Sequence, residues 1–146
     1  MALFSTIGTT TVNRRSQTYD RLAGVDAVIE VSITAALNVG VTTVATVTTQ
    51  PCIIKGIVVH ADTAAHADMT TAAIKGGASQ VVSFITTSDA TEANLNAVDK
   101  QVSWDGIARF AATKTIIVDL QGSGSTAADL TISIYYCAAV DGGYLA

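Results

Sequence analysis

The sequence predicts an all-β protein: an antiparallel β-sandwich, jelly-roll-like, with an extended N-terminal arm. Three observations predict it. Seven or eight windows along the 146 residues read as strands, VDAVIEVSIT with the period-two alternation of a half-buried strand and CIIKGIVVH as an apolar run of the kind found inside a sandwich. Few windows carry a helical period, and strands do not alternate with helices as they do in a parallel α/β sheet. The composition agrees: 24 Ala, 21 Thr and 16 Val leave little room for long charged helices, and Thr and Val suit a pleated surface because they branch at Cβ.

The elements follow in order. Residues 1–24 show no clear period and form the arm. From Val25 the segment VDAVIEVSIT places Val25, Ala27, Ile29, Val31 and Ile33 on one face, which predicts a half-buried strand. Asn38 and Gly40 mark a turn. VTTVATVTT, 41–49, is a second strand with almost no charge on either face. Pro51, the single proline, is tolerable at a strand start, where no ladder donor is needed. CIIKGIVVH, 52–60, is a third strand, apolar on both faces except at Lys55. Thr71–Lys75 reads as a short strand ended by Gly76-Gly77, and SQVVSFITT, 79–87, as a clear one. Asp89-Ala-Thr-Glu92 has the spacing of a capping box that opens at most two helical turns, an ordinary loop being the other reading. Gln101–Trp104 and Ile107–Ala111 read as two short strands around an Asp105-Gly106 hairpin turn. KTIIVDL, 114–120, and LTISIYYCA, 130–138, are strong strands, with the flexible loop QGSGSTAAD between them. The division is thus an arm, 1–24, a sandwich domain, 25–140, and a tail, 141–146. Period-two alternation does not distinguish a jelly roll from an immunoglobulin-like sandwich.

Charge narrows the partners. The chain carries a formal −4, which speaks against nucleic acid as a partner of the folded body. The balance is uneven: Arg14, Arg15 and Arg21 against Asp20 give the arm +2, while the rest holds −6. Only 14% of residues are charged, below the ordinary ~25%, and a low-charge Thr- and Ala-rich surface suits a protein packed among neighbours. No run approaches the ~18 apolar residues that span a membrane. MALFSTIGTTTV lacks the positive start and continuous apolar core of a signal peptide, so synthesis in a cytoplasm is expected. Cys52 and Cys137 sit in apolar strand-like runs and read as two buried free thiols.

The sharpest chemical signal is VHADTAAHADM, which holds both histidines, His60 and His66, with Asp62 and Asp68 beside them. Two imidazoles and two carboxylates suffice for Zn²⁺ or Fe²⁺. A six-residue spacing, however, puts the rings on opposite faces of a helix and ~20 Å apart in a strand, so only a tight loop would join them. The favoured reading is structural: His60 ends a strand, and Asp62 and Asp68 serve turns. Gly122-Ser-Gly124-Ser-Thr126 lacks the Gly-Lys-Ser/Thr end of a phosphate loop. No Gly-x-Ser-x-Gly elbow or local carboxylate pair marks catalysis. The chain therefore reads as a non-enzyme with no cofactor or metal. The candidate contact residues are Leu3, Phe4, Ile7, Arg14, Arg15, Tyr19 and Arg21 on the arm, Trp104 beside its turn, and Tyr144 and Leu145 in the tail. The tail pair is expected to pack in a neighbour's groove.

Taken whole, the short Ala/Thr/Val-rich all-β chain, with an irregular stretch up to QTYDRLAGVD and no catalytic motif, resembles the cement or decoration proteins of tailed-bacteriophage capsids. The resemblance is one of overall style across the whole chain and brings no motif with it. It implies a β-sandwich or jelly-roll subunit, usually trimeric, bound over joints between major capsid proteins in the virion, where it reinforces the shell. The almost uncharged VTTVATVTT and CIIKGIVVH would then be covered in a homotrimer. The alternatives are another phage structural component (tail, neck or fibre) and a small jelly-roll metal-binding enzyme built on His60, Asp62, His66 and Asp68.

Overall fold

In the computed structural model, residues 4–7, 10–13, 21–34, 40–63, 69–123 and 129–146 are described, 4–7 and 10–13 by the course of their backbone. The strands are β1 (Phe4–Ile7), β2 (Thr10–Asn13), β3 (Asp26–Thr34), β4 (Gly40–Thr48), β5 (Cys52–Ala61), β6 (Met69–Gly76), β7 (Val82–Ile85), β8 (Gln101–Phe110), β9 (Thr115–Gly122), β10 (Asp129–Ala138) and β11 (Tyr144–Leu145). One short helix, α1 (Glu92–Leu95), precedes β8.

Period-two patterning gives each central strand one apolar face, and two such faces must be buried against each other. The strands accordingly form two antiparallel sheets, ordered β1-β2-β3-β10-β5-β8 and β11-β4-β9-β6-β7. The topology is that of a hairpin folded over on itself. β3 pairs with β10, β4 with β9, β5 with β8 and β6 with β7, a nested series closing on the β6–β7 connection. Rolling that ribbon brings β10 against β5 and β9 against β6. The eight strands from β3 to β10 are a jelly roll. This decides between the two topologies that alternation leaves open.

The core lies between the sheets. Ile29, Val31 and Ile33 of β3, Ile54, Ile57 and Val59 of β5, and Leu130, Ile132, Ile134 and Tyr136 of β10 face Ile74 of β6 and Ile116, Val118 and Leu120 of β9. Burying each large aliphatic side chain contributes roughly 1.5–3 kcal/mol. Cys52 points into this core and Cys137 to the other side of the sheet; both are buried and free. Burial, with Cys137 nearby, pushes the Cys52 thiol up to about 12, so it stays protonated and inert.

Four local readings are corrected. Asp105-Gly106 does not turn the chain, because β8 runs unbroken through it. The dipeptide instead sits where the β5–β8 register shifts, between Ile54 and Gly56. A Cβ on Gly106 would lie 2.5 Å from the Trp104 ring, so glycine is needed there to let the indole lie across the strand. The reciprocal contacts of a capping box form three residues earlier than expected, around the turn before α1, and α1 itself starts after Thr91 with no side-chain cap. Thr86 and Asp89 make them: the Asp89 carboxylate accepts from the Thr86 amide and hydroxyl, and the Asp89 amide donates back to the Thr86 hydroxyl. The segment read as a strand over 79–87 begins as a 3-10 turn, Ala78–Gln80, and only Val82–Ile85 is strand.

The fourth correction concerns the tail. Tyr144 and Leu145 pair with Thr48 and Val47 of the same chain, and Ala146 exchanges two backbone hydrogen bonds with Thr46. Leu145 is fully buried in its own core, so it fills no neighbour's groove. At the other end, residues 4–7 and 10–13 of the segment read as an irregular arm are strands, and β2 pairs with β3. Leu145→Ala is expected to destabilise the isolated protein by about 2–4 kcal/mol in denaturant unfolding, as for any buried leucine. A tail serving only a neighbour would leave the isolated chain's stability unchanged.

Candidate interaction surface

At one end of the larger sheet, polar side chains tie four strands together, and His60 is one of them. Its Nδ1 stands 2.8 Å from Asp62 and its Nε2 3.3 Å from Asp99. Asp62 also accepts the Thr131 hydroxyl at 2.6 Å, and its amide donates to the Asp129 carbonyl at 2.9 Å. Asp129 in turn accepts from the Thr34 hydroxyl, and its amide donates to the Thr63 hydroxyl. The ends of β3 and β5 are thus sewn to the starts of β10 and β8. The two carboxylates lie on opposite ring nitrogens, whereas ligands of one ion must converge. Among the described residues no three His, Cys, Asp or Glu side chains converge on a metal position. His66 and Asp68, the other half of the sequence signal, lie outside the described residues.

The expected contact residues are distributed unevenly. Leu3, Arg14, Arg15 and Tyr19 lie outside the described residues, and Phe4 and Ile7 are placed only as positions on β1. Arg21 is engaged within the chain: its guanidinium lies 3.9 Å over the Tyr144 ring, and its carbonyl accepts the Gly142 amide at 2.6 Å. With Ala23 donating to Asp141 and Gly24 to the Ala138 carbonyl, residues 21–24 are stitched to the body. Trp104 is half-buried and meets Phe84 edge-to-face at 4.8 Å, joining the two sheets where β8 passes β7. It is a core-rim residue rather than a projecting anchor. Of the uncharged strands expected to need a covering subunit, β5 lies between β10 and β8, while β4 is paired along its length with β9 and on its other side only at Thr46–Thr48, by β11 and Ala146.

The outer faces are what the fold leaves for partners. On the larger sheet the register aligns Val28, Tyr135 and Gly56, and aligns Glu30, Ser133, Val58 and Ser103 one step along. Tyr135 is 48% exposed, beside a Lys55–Asp26 ion pair of 2.7 Å. The acids Asp26, Glu30 and Asp105 outnumber Lys55 and Arg109 on these strands. On the smaller sheet, Lys75 and Asp119 pair across β6 and β9 at 3.0 Å. The Lys75 ammonium, helped by the Gln121 amide, holds the Asp119 carboxyl below the usual range. The exposed large apolar residues are spread over the surface: Val81 just before β7, Val98 in the connection to β8 and Ile107 on β8, but also Leu22, Val41 on β4, Tyr135 on β10 and Val140.

Two phage capsids contain a chain of this fold. A chain in the acid-stable capsid structure of Helicobacter pylori bacteriophage KHP30 superposes with a TM-score of 0.53 at 8% identity, covering 86% of this chain and 95% of that one. A chain of the cyanophage Pam1 capsid gives a TM-score of 0.50 at 14% identity, over 77% and 84%. No protein-family model matches the chain, and no curated protein matches it. The likeness is one of fold, and it extends over more than three quarters of each chain compared.

The depressed Asp119 pKa sets a pH dependence. The stability it supplies is complete above the ordinary aspartate value of about 3.9 and is lost as pH falls through the lower folded-state value. Asp119→Asn is therefore expected to cost ~0.5–1 kcal/mol near neutral pH and almost nothing well below that value, measured by denaturant unfolding across the range. A cost that does not change with pH would show that the ion pair is not its source.

Proposed function

We propose that the chain is a structural protein of a virus particle, a capsid cement or decoration protein that binds across major capsid protein subunits and has no catalytic role. One observation carries the reading: a jelly roll covering nearly the whole of this chain also covers nearly the whole of a chain in a phage capsid structure. The described chemistry is consistent with it. His60, Asp62, Asp99 and Asp129, the most concentrated polar side chains, are occupied in fastening strand ends, and the outer faces carry few charges for their area. The protein is made in the host cytoplasm and resides in the virion. It works as a homo-oligomer over a joint in the shell, three copies being the arrangement that the resemblance to cement proteins implies.

The N-terminal segment is the fastener in this reading. Leu3, Phe4, Ile7 and Tyr19 supply apolar contact area, and Arg14 and Arg15 supply charge for acidic groups on the shell. Exposed pairs of this kind contribute about 0–1 kcal/mol each, and more when desolvated.

Removal of residues 2–20 keeps Arg21 on Tyr144 and leaves β3 to β11 whole. The truncated protein is expected to fold, and its binding to particles stripped of this protein, measured by co-sedimentation, to fall at least roughly tenfold. Arg14→Glu with Arg15→Glu is expected to weaken binding more at low salt than at high salt, because salt screens exposed charge. Full occupancy by the truncated protein at unchanged affinity would move the fastener to a face of the sandwich. No binding of the intact protein to any capsid would overturn the capsid reading.

A further inference from the structure

One sheet edge carries a pattern that capsid binding does not use. Among the described residues, β8 is the outermost strand of the larger sheet, ten residues long, and its only ladder partner is β5. Its inward side chains, Trp104, Ala108 and Phe110, pack against or within the core. Asp105, Ile107 and Arg109 are exposed between them. Ile107 is 84% exposed, the highest value among the large apolar residues described, and Val81, 76% exposed, precedes β7 on the same side. Among the described residues, no ion pair or side-chain hydrogen bond engages Asp105 or Arg109. A long edge with an outward isoleucine invites pairing with another chain, and flanking charges restrict that pairing to a partner of matching charge.

The spacing says what covers it. Asp105 and Arg109 stand two residues on either side of Ile107. When two antiparallel copies of this strand pair about a two-fold axis at residue 107, Ile107 meets Ile107. Asp105 of each copy then faces Arg109 of the other, at the separation where directly opposed side chains interact. The same charges reject the neighbouring symmetric registers. Pairing centred on Asp105 sets two carboxylates face to face, and pairing centred on Arg109 sets two guanidinium groups face to face. We infer that β8 is a self-association edge, and that its partner is β8 of a second copy, joining the two larger sheets into one continuous sheet. The inference is independent of the capsid reading. Within that reading, it would link neighbouring decorations across two-fold positions.

Charge reversal tests it, because the two single variants are complementary. Asp105→Arg and Arg109→Asp both alter exposed side chains, so both are expected to keep the wild-type circular dichroism spectrum and melting temperature. In sedimentation equilibrium each alone is expected to raise the dissociation constant of the two-copy contact by roughly tenfold or more, since both cross-strand pairs become repulsive. An equimolar mixture of the two variants should restore association, with one copy of each per complex. The doubly exchanged D105R/R109D protein should self-associate as the wild type does. A wild-type protein that stays monomeric up to roughly 100 μM, at which a contact of even ~10 μM affinity is well populated, overturns the inference. So does an oligomer insensitive to both reversals, or a mixture that associates no better than its components. Each of these results leaves the capsid-binding assay to stand or fall separately.

Discussion

The molecule depends on one strand finding two partners. β10 makes nine register pairs with β3 and nine with β5, lying between them at the centre of the larger sheet. β3 lies about a hundred residues earlier in the chain, so the closure entropy of that loop must be overcome before any pairing is gained. What offsets it is the inward row Leu130, Ile132, Ile134 and Tyr136, every member fully buried. Docking β10 also seats β9 in the facing sheet through the 122–129 connection, which brings β4 and β6 together around it. The polar cluster of Asp62, Asp129, Thr131 and His60 fixes the register at one end of β10, and the residue 21–24 stitching to Ala138 and Asp141 fixes it at the other.

That closure sorts the rest of the surface. The additions at the chain ends attach to neighbouring strands on one side of the sandwich, the β1–β2 hairpin beside β3 and β11 beside β4. The other side ends in β7 and β8, held together by Phe84, Trp104 and Phe110. One flank therefore carries the strands of the chain's own ends, and the other ends in β7 and β8, with Val81 and Ile107 exposed.

The sequence made the interior legible and the borders illegible. β3, β5, β9 and β10 were readable because burial of one face imposes strict alternation on residues such as Ile29, Val31 and Ile33. β11 was not, because two residues have no period and only the pairing with Val47 makes Leu145 a core residue. β1 and β2 were hidden in a Thr-rich stretch whose polar and apolar positions differ little. β8 was cut in two because Asp-Gly serves equally at a hairpin turn and at a register shift. Only the Trp104 ring lying across Gly106 distinguishes the two. That misreading concealed the self-complementary edge as well, since Asp105, Ile107 and Arg109 form a pattern only on one unbroken strand. His60 was read as ending a strand and lies near the end of β5, but its partner Asp99, far along the chain, had no sequence signal.

The account's central claim is that this jelly roll is a component of a virus shell, and direct imaging of the particle that carries it tests that most directly. Electron cryo-microscopy with icosahedral averaging should reveal density for two facing sheets, ordered β3-β10-β5-β8 and β4-β9-β6-β7, seated over joints between major capsid protein subunits, with the N-terminal segment reaching onto the shell. Density for this fold confined to the tail, neck or fibres, or found nowhere in the particle, would contradict it.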